Sequence, residues 1–465
     1  MFRRIIAFII MTAAAAAAAL PVSAAGPDLE LTAQTAILIE QTTGKLLYGK
    51  NESERMYPAS MTKILTALVA LDYLKPGEFI VVGAEKSEAP AGSSVASLEI
   101  GETILVENLL RALLIPSGNE AGCVIAYNVG LRVNGVPEMP YDEAEALFSD
   151  LMNKKAAALG ATGTHFTNPH GFHDASHYST AHDIAMISRT FLQVPLLSAI
   201  VKEKRFAGNS AGDNAPEGAK TVEHEWKTHN ELIMDNKEAY YTYANGIKTG
   251  FTDEASDCLA SSAERDGVTL ISVVFLSPKP GIWNDSQTLF EYGFNNFAFV
   301  DVQKDSELLE QAAINNPRLG EPEQMDVLSK GGFTGFYSND ESARIKREIV
   351  YDPALLARSG EEAPVSASAF EPPIERGQAL GKVNYYLDGQ VIYSSEAIAA
   401  ANAYKRTLSS DFRYYLDLIK EKFFQMDAIK FWVGGAAILA ALIIILAVRR
   451  RRRKRNQGFS MYRWR

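Results

Sequence analysis

The sequence predicts an α+β domain with helices packed on an antiparallel sheet, then a small all-β domain and one C-terminal transmembrane helix. Three observations carry this reading. Helical patterns between about residues 61 and 192 are bracketed by strand-like runs at 36–50 and 246–276, so the strands must pair across the helices. From about 300 to 394 the pattern is mostly β, with an Asp388-Gly389 hairpin signal. Residues 431–448 form an uncharged apolar stretch long enough to cross a hydrocarbon layer as a helix.

The chain opens with Arg3 and Arg4, then an Ile- and Ala-rich run, then Val22-Ser23-Ala24. That is the basic, apolar and small-x-small order of a secretory signal peptide over residues 1–24; a retained membrane helix is the alternative. Residues 36–41 and 45–50 read as a hairpin around Thr42-Thr43-Gly44. After Tyr57-Pro58-Ala59, the apolar positions Met61, Ile64, Leu65, Leu68 and Leu71 follow the helical period. Residues 106–129 read as two helical pieces interrupted at Pro116-Ser117-Gly118, and further helices fit 142–159 and 180–192. Strands at 246–251, 258–263 and 269–276 follow, with Asp266-Gly267 as a turn, and Ser277-Pro278-Lys279-Pro280 ends the set.

The expected organisation is a catalytic domain over 25–295, a β-domain over 300–396 and a polar, helix-prone stalk over 397–430. The span (431–448) and a basic tail (449–465) complete it. Lys430 and Trp432 suit one end of the span, and the run from Arg449 to Arg455 the other. The positive-inside bias then puts the C-terminus in the cytoplasm and the rest outside, in a single-pass cell-membrane protein. Removing the nine basic residues after Val448 and the two in the leader leaves 35 basic against 56 acidic residues outside, a net charge of −21. Such a domain is a poor partner for nucleic acid. Cys123 and Cys258 lie in apolar stretches, which favours free buried thiols over a bridge, although an oxidising compartment permits one.

Three short motifs carry the chemistry: Ser60-Met61-Thr62-Lys63, Ser117-Gly118-Asn119 and Lys248-Thr249-Gly250. Ser60 falls at the first turn of its helix, where unpaired N–H groups favour a developing anion. Lys63 lies one turn on and can reach back to the hydroxyl. Only a neutral lysine can act as base. At pH 7 an unperturbed lysine is neutral roughly once in 10³ to 10⁴, a cost of about 4.6 kcal/mol. Burial and the nearby cation Lys248 lower that cost. Ser117 can relay a proton to a leaving amine, and Asn119 can orient Lys63 and hold a substrate amide. Lys248 and the Thr249 hydroxyl can bind a carboxylate, and Gly250 lets an extended substrate approach the strand. The backbone N–H groups of Ser60 and Phe251 can form an oxyanion hole. Singly, each motif also reads as a helix cap or an exposed strand.

Their order matches the signature of penicillin-binding proteins and class A β-lactamases. The surroundings Tyr57-Pro-Ala-Ser-Met-Thr-Lys63, Ile115-Pro-Ser-Gly-Asn-Glu-Ala121, Thr164-His-Phe-Thr-Asn-Pro-His-Gly171 and Asn245-Gly-Ile-Lys-Thr-Gly-Phe-Thr252 resemble the low-molecular-mass D-alanyl-D-alanine carboxypeptidases. Residues 290–294 and 373–378 look like that family too. The resemblance implies a penicilloyl-serine-transferase (β-lactamase-like) fold and removal of the terminal D-Ala from peptidoglycan stem pentapeptides through a Ser60 acyl-enzyme, with β-lactams as inhibitors and no cofactor. Two departures stand out. Ser256 occupies a place where the family often has glycine, and the anchor reads as a true span where the family often has an amphipathic surface helix.

Competing readings remain. D,D-endopeptidase cleavage of cross-links uses the same chemistry. A class A-like β-lactamase would need an acid between the second and third motifs, where Asn168-Pro169-His170-Gly171 stands instead. A zinc D,D-peptidase could draw on His165, His170, His173, His177, His182, Asp174 and Asp183, or on Glu223-His-Glu-Trp-Lys-Thr-His229, although the spacings suit zinc poorly; the reading carries no metal site. A non-catalytic wall-binding protein is the last alternative.

Overall fold

The computed structural model describes residues 27–357, 369–424 and 428–457. The proposed signal peptide lies outside them. The chain divides into two compact units, residues 1–299 with 336–339, and residues 300–335 with 340–465.

In the first unit the elements run β1 (Thr35–Glu40), β2 (Leu46–Lys50), α1 (Thr62–Tyr73), β3 (Phe79–Val81), β4 (Thr103–Leu105), α2 (Val106–Leu114) and α3 (Asn119–Asn134). Then come α4 (Tyr141–Ala158), α5 (Ala181–Leu192), α6 (Pro195–Ile200), β5 (Arg205–Asn209), β6 (Glu223–Lys227), β7 (Ala244–Thr252), β8 (Ser256–Arg265), β9 (Val268–Phe275) and α7 (Gly281–Asn296). The main sheet has the order β2-β1-β9-β8-β7 and is antiparallel throughout, with β7 at one edge. Thr35 pairs with Phe275, Leu259 with Val274 and Lys248 with Ala260.

Alternation along β9 explains how helices cover both faces. Ile271, Val273 and Phe275 enter a core with α1 to α6, whereas Leu270 and Val274 enter a second core with Ile282, Trp283, Leu289 and Phe290 of α7. Each of those fully buried side chains contributes roughly 1.5–3 kcal/mol. Helix α7 is absent from the sequence reading because Asp285 and Ser286 place polar side chains on its buried face and interrupt a simple apolar stripe. Asp285 is buried for a polar reason: its carboxylate accepts from Thr32 N, Ala33 N and the hydroxyls of Thr32 and Ser277, pinning α7 to the chain entering β1.

In the second unit, β11 (Leu308–Ala313), β12 (Gln324–Ser329), β14 (Lys346–Tyr351), β15 (Ala379–Leu387) and β16 (Gln390–Ala399) form an antiparallel sheet in the order β11-β12-β16-β15-β14. Strands β10 (Phe297–Gln303) and β13 (Phe333–Ser338) and the short helix α8 (Asn339–Arg344) lie on either side of the division between units. Asp388 and Gly389, at φ +51° and +84°, make the expected tight turn. The expected stalk begins late. Strand β16 runs to Ala399, Ala403 bridges to Ile374, and helix α9 spans Leu408–Phe424. Ala397, Ala399 and Ala403 are buried beside Phe370 and Val383, so packing overrides the helical propensity of an alanine-rich stretch. Helix α10 spans Ala428–Gln457, and its segment Trp432–Arg450, with a mean hydropathy of 2.3, is long and apolar enough to cross a membrane.

Candidate active site

A single 3₁₀ turn, Ala59–Met61, carries Ser60 into α1. Its entry is set by Ala59, which lies at φ +45°. Such a conformation costs a residue with a Cβ on the order of 1 kcal/mol and is held by its surroundings. Two glycines make those surroundings possible. Gly171 lies at φ +83°, and a Cβ on it would stand 1.8 Å from the Ala59 carbonyl oxygen. A Cβ on Gly250 would meet Cys258 Sγ at 2.5 Å and Pro58 O at 3.0 Å. The space beside Gly250 is therefore filled by the turn that carries Ser60. The absence of a side chain at Gly250 lets β7 pack closely on that turn.

Lys63 is completely buried, and its amine is held by three groups. Nζ lies 2.9 Å from Ser60 Oγ, 2.6 Å from Asn119 Oδ1 and 2.8 Å from the His170 carbonyl oxygen. A neutral amine has two N–H bonds and one lone pair. With Asn119 and His170 taking the two hydrogens, the lone pair is left facing the Ser60 hydroxyl. Burial, and then the charge of Lys248, hold the Lys63 amine well below the ordinary lysine range. Burial alone brings Lys248 down to about 7, and its Nζ donates to Thr249 O at 3.0 Å.

Ser117 is buried at φ +64° and turns the chain between α2 and α3. Gly118 N then donates to Ala112 O and Asn119 N to Ser94 O, which aims Asn119 at Lys63. The structure thus joins Ser60, Lys63 and Asn119 in one hydrogen-bonded group. Among the described residues, the side chains of Ser117, Lys248 and Thr249 make no bond to that group. A cleft of about 380 Å³ opens over Ser60 and Asn119, with Ser93, Phe172, Phe251 and Glu254 among its walls.

Two members of the histidine cluster, His170 and His177, are buried parts of the scaffold. His177, nearly fully buried, has Nε2 2.8 Å from Thr62 Oγ1 and accepts from Thr167 N at Nδ1, and burial lowers it to about 3. Thr66 Oγ1 donates to Pro169 O, and Asn168 Oδ1 accepts from Gly171 N. The loop 164–171 is thereby clamped along α1. His170 was missed as a Lys63 partner because its contribution is a backbone carbonyl, which no side-chain motif records. Cys123 and Cys258 are free and buried.

Helices on both faces of an antiparallel sheet, with the nucleophile-type serine beside its edge strand, are the architecture of the penicilloyl-serine transferases. Residues 21–278, more than half of the chain, match the family model of the D-alanyl-D-alanine carboxypeptidases (Peptidase_S11), and the chain belongs to that family of hydrolases. The chain is 29% identical over 381 residues to a D-alanyl-D-alanine carboxypeptidase of Bacillus subtilis (DacF), covering 80% of this chain and 86% of that protein. Among solved structures, penicillin-binding protein 5 of Haemophilus influenzae shares the fold with a TM-score of 0.55 at 24% identity, over 81% of this chain and 98% of that one. A Streptomyces DD-transpeptidase aligns with a TM-score of 0.51 at 28% identity, over 57% of this chain and 98% of that one.

Proposed function

We propose that the protein is a serine D-alanyl-D-alanine carboxypeptidase that trims peptidoglycan stem pentapeptides and is acylated by β-lactams. The observation that carries this is the buried Lys63 amine, 2.9 Å from Ser60 Oγ, 2.6 Å from Asn119 Oδ1 and 2.8 Å from the His170 carbonyl oxygen. Neutral Lys63 takes the Ser60 proton as Oγ attacks the carbonyl of the penultimate D-Ala. The N–H groups of Ser60 and Phe251 receive the oxyanion. Ser117 passes its proton to the departing amine and takes one back from protonated Lys63, the C–N bond breaks and D-Ala leaves, with Lys63 neutral again. Water then adds to the acyl ester, and its cleavage frees the shortened peptide and restores Ser60. Lys248 and Thr249 bind the terminal carboxylate, and Gly250 keeps β7 close to the reacting turn.

The proposed organisation is a signal peptide (1–24), a catalytic domain (25–295), a β-domain from 300 that takes in Ala403, a stalk that begins with α9 at Leu408, a span (431–448) and a cytoplasmic basic tail (449–465). The apolar helix segment Trp432–Arg450 and the arginine run that follows support a single span with the catalytic domain outside. The full-length protein in detergent is expected to be labelled by a fluorescent penicillin, and Ser60→Ala to lose the label. Label retained by Ser60→Ala would refute the mechanism. A stem pentapeptide is expected to release D-Ala; preferential cleavage of a cross-linked dimer would make the enzyme an endopeptidase instead.

A further inference from the structure

We propose that Trp226 is a positioning residue for acylation: its indole N–H holds the cleft-wall segment 92–98 against α3 and so fixes where Asn119 points. This rests on the acyl-serine reading above and adds to it a residue outside all three motifs. The segment runs past the start of α3 and is fastened at alternate residues. Ser94 O accepts from Asn119 N at 2.8 Å, Ala96 O accepts from Trp226 Nε1 at 2.8 Å, and Leu98 N donates to Glu120 Oε1 at 3.4 Å. Its near end faces the reaction, because Gly92, Ser93 and Ser94 line the cleft over Ser60 and Asn119. Its middle touches the second motif directly. A Cβ on Gly118 would stand 2.9 Å from Ala96 Cβ and 3.1 Å from Ala96 N. Residues 94–98 and 118–120 thus pack as one unit, and a shift of Ala96 is passed to Asn119.

That unit depends on outside support. Ser97, within the segment, lies at φ +60°, and Ser117, just before α3, at φ +64°. Such conformations persist where surrounding contacts over-determine them. Trp226 supplies one from a distant part of the chain. Strand β6 alternates, with His224 and Trp226 buried and Glu223, Glu225 and Lys227 exposed. The indole stacks on Phe206 of β5 with ring centroids 4.9 Å apart, and on His224 at 4.8 Å. His224 Nε2 in turn lies 2.7 Å from Glu102 Oε1, while Glu102 Oε2 accepts from Glu99 N. These contacts fix the ring and aim its N–H at Ala96 O. Both Ala96 and Trp226 are buried, and among the described residues no other donor reaches Ala96 O. Removing the N–H therefore leaves a buried carbonyl unpaired, and the segment must move to satisfy it. A small displacement of Asn119 then slows a reaction that needs Lys63 and Ser60 in line.

The test mixes the full-length protein in detergent with a fluorescent penicillin over a range of concentrations, which separates the limiting acylation rate from the half-saturating concentration. Trp226→Phe keeps a stacked ring and removes the donor. Trp226→Gln gives up the ring and keeps an N–H at the same number of bonds from Cβ. The limiting rate is expected to fall roughly three- to thirtyfold in Trp226→Phe, the range for a residue acting through its neighbours. It should fall less in Trp226→Gln, although that variant loses more apolar burial and unfolds at a lower temperature. Rate and stability then rank the two variants in opposite orders, which a purely structural role would not do. In an Asn119→Ala background, followed over longer times, Trp226→Phe should change the limiting rate less than twofold, because the group it positions is gone. An unchanged rate in Trp226→Phe, rates that follow thermal stability, or the same loss with and without Asn119 overturns the assignment. Absence of labelling in the native protein instead overturns the acyl-serine reading.

Discussion

At the scale of the residue, the state of Lys63 decides the chemistry. An arginine could fill the same space and hold the same positive charge, but its guanidinium does not deprotonate. Lys63→Arg is expected to remain folded and to lose at least about a thousandfold in the rate of penicillin acylation, within the range for loss of a general base. Near-native acylation would mean that another group takes the Ser60 proton. Ser256 offers a separate check. It sits at φ +52°, in the turn between β7 and β8, where a glycine carries no steric cost. Ser256→Gly is expected to stabilise the protein by about 1 kcal/mol in denaturant unfolding. A loss of stability would show that the serine side chain contributes more than its backbone strain costs. The departure from the family pattern is thus accommodated by strain at one residue and leaves the strand pairing Thr252 to Ser256 intact.

At the scale of the element, the two lysines aimed into one site couple stability to pH. In the fold Lys248 titrates at about 7, against roughly 10.4 when unfolded. Between those values the unfolded chain holds more protons, so stability rises with pH across that window and the full penalty stands below it. Unfolding measured at pH 6 and pH 9 should show the native protein gaining stability with pH, and Lys248→Met should flatten that gain. A stability that falls between those points would contradict the burial of a depressed amine.

The same elements mark how much the sequence could reveal. The β8–β9 turn was legible because Asp266 and Gly267 both adopt positive φ, +53° and +78°, as a two-residue hairpin demands. The break between α2 and α3 was legible because Pro116 and Gly118 interrupt a helical period. Ser60, Lys63 and Asn119 could be grouped because motif order stands in for distance. Other features were hidden. The His170 carbonyl, the collision that only Gly171 avoids and the carboxylate cage of Asp285 depend on which backbone meets which. Residues 397–407 looked helical because local propensity says nothing about Phe370 and Val383 waiting in the core.

At the scale of the whole molecule, the exposed apolar side chains of α10 need an environment. Ile443, Ile444 and Ile445 are all exposed in the isolated chain. Burying them in hydrocarbon satisfies a stretch that water would not. The full-length protein should therefore sediment with membranes and resist an alkaline wash, whereas a chain ending at residue 424 should be found in the soluble fraction. A full-length chain that washes off would leave the helix as a surface or partner-binding element.

The central claim is that Ser60 is acylated by a peptide ending in D-Ala–D-Ala. Full-length protein in detergent, mixed with such a peptide, quenched in acid and digested with trypsin, reports this directly. The fragment 56–63 should carry the mass of the substrate less D-Ala, and the adduct should be absent from Ser60→Ala. D-Ala release with no adduct at Ser60, or with the adduct on another residue, would contradict the account.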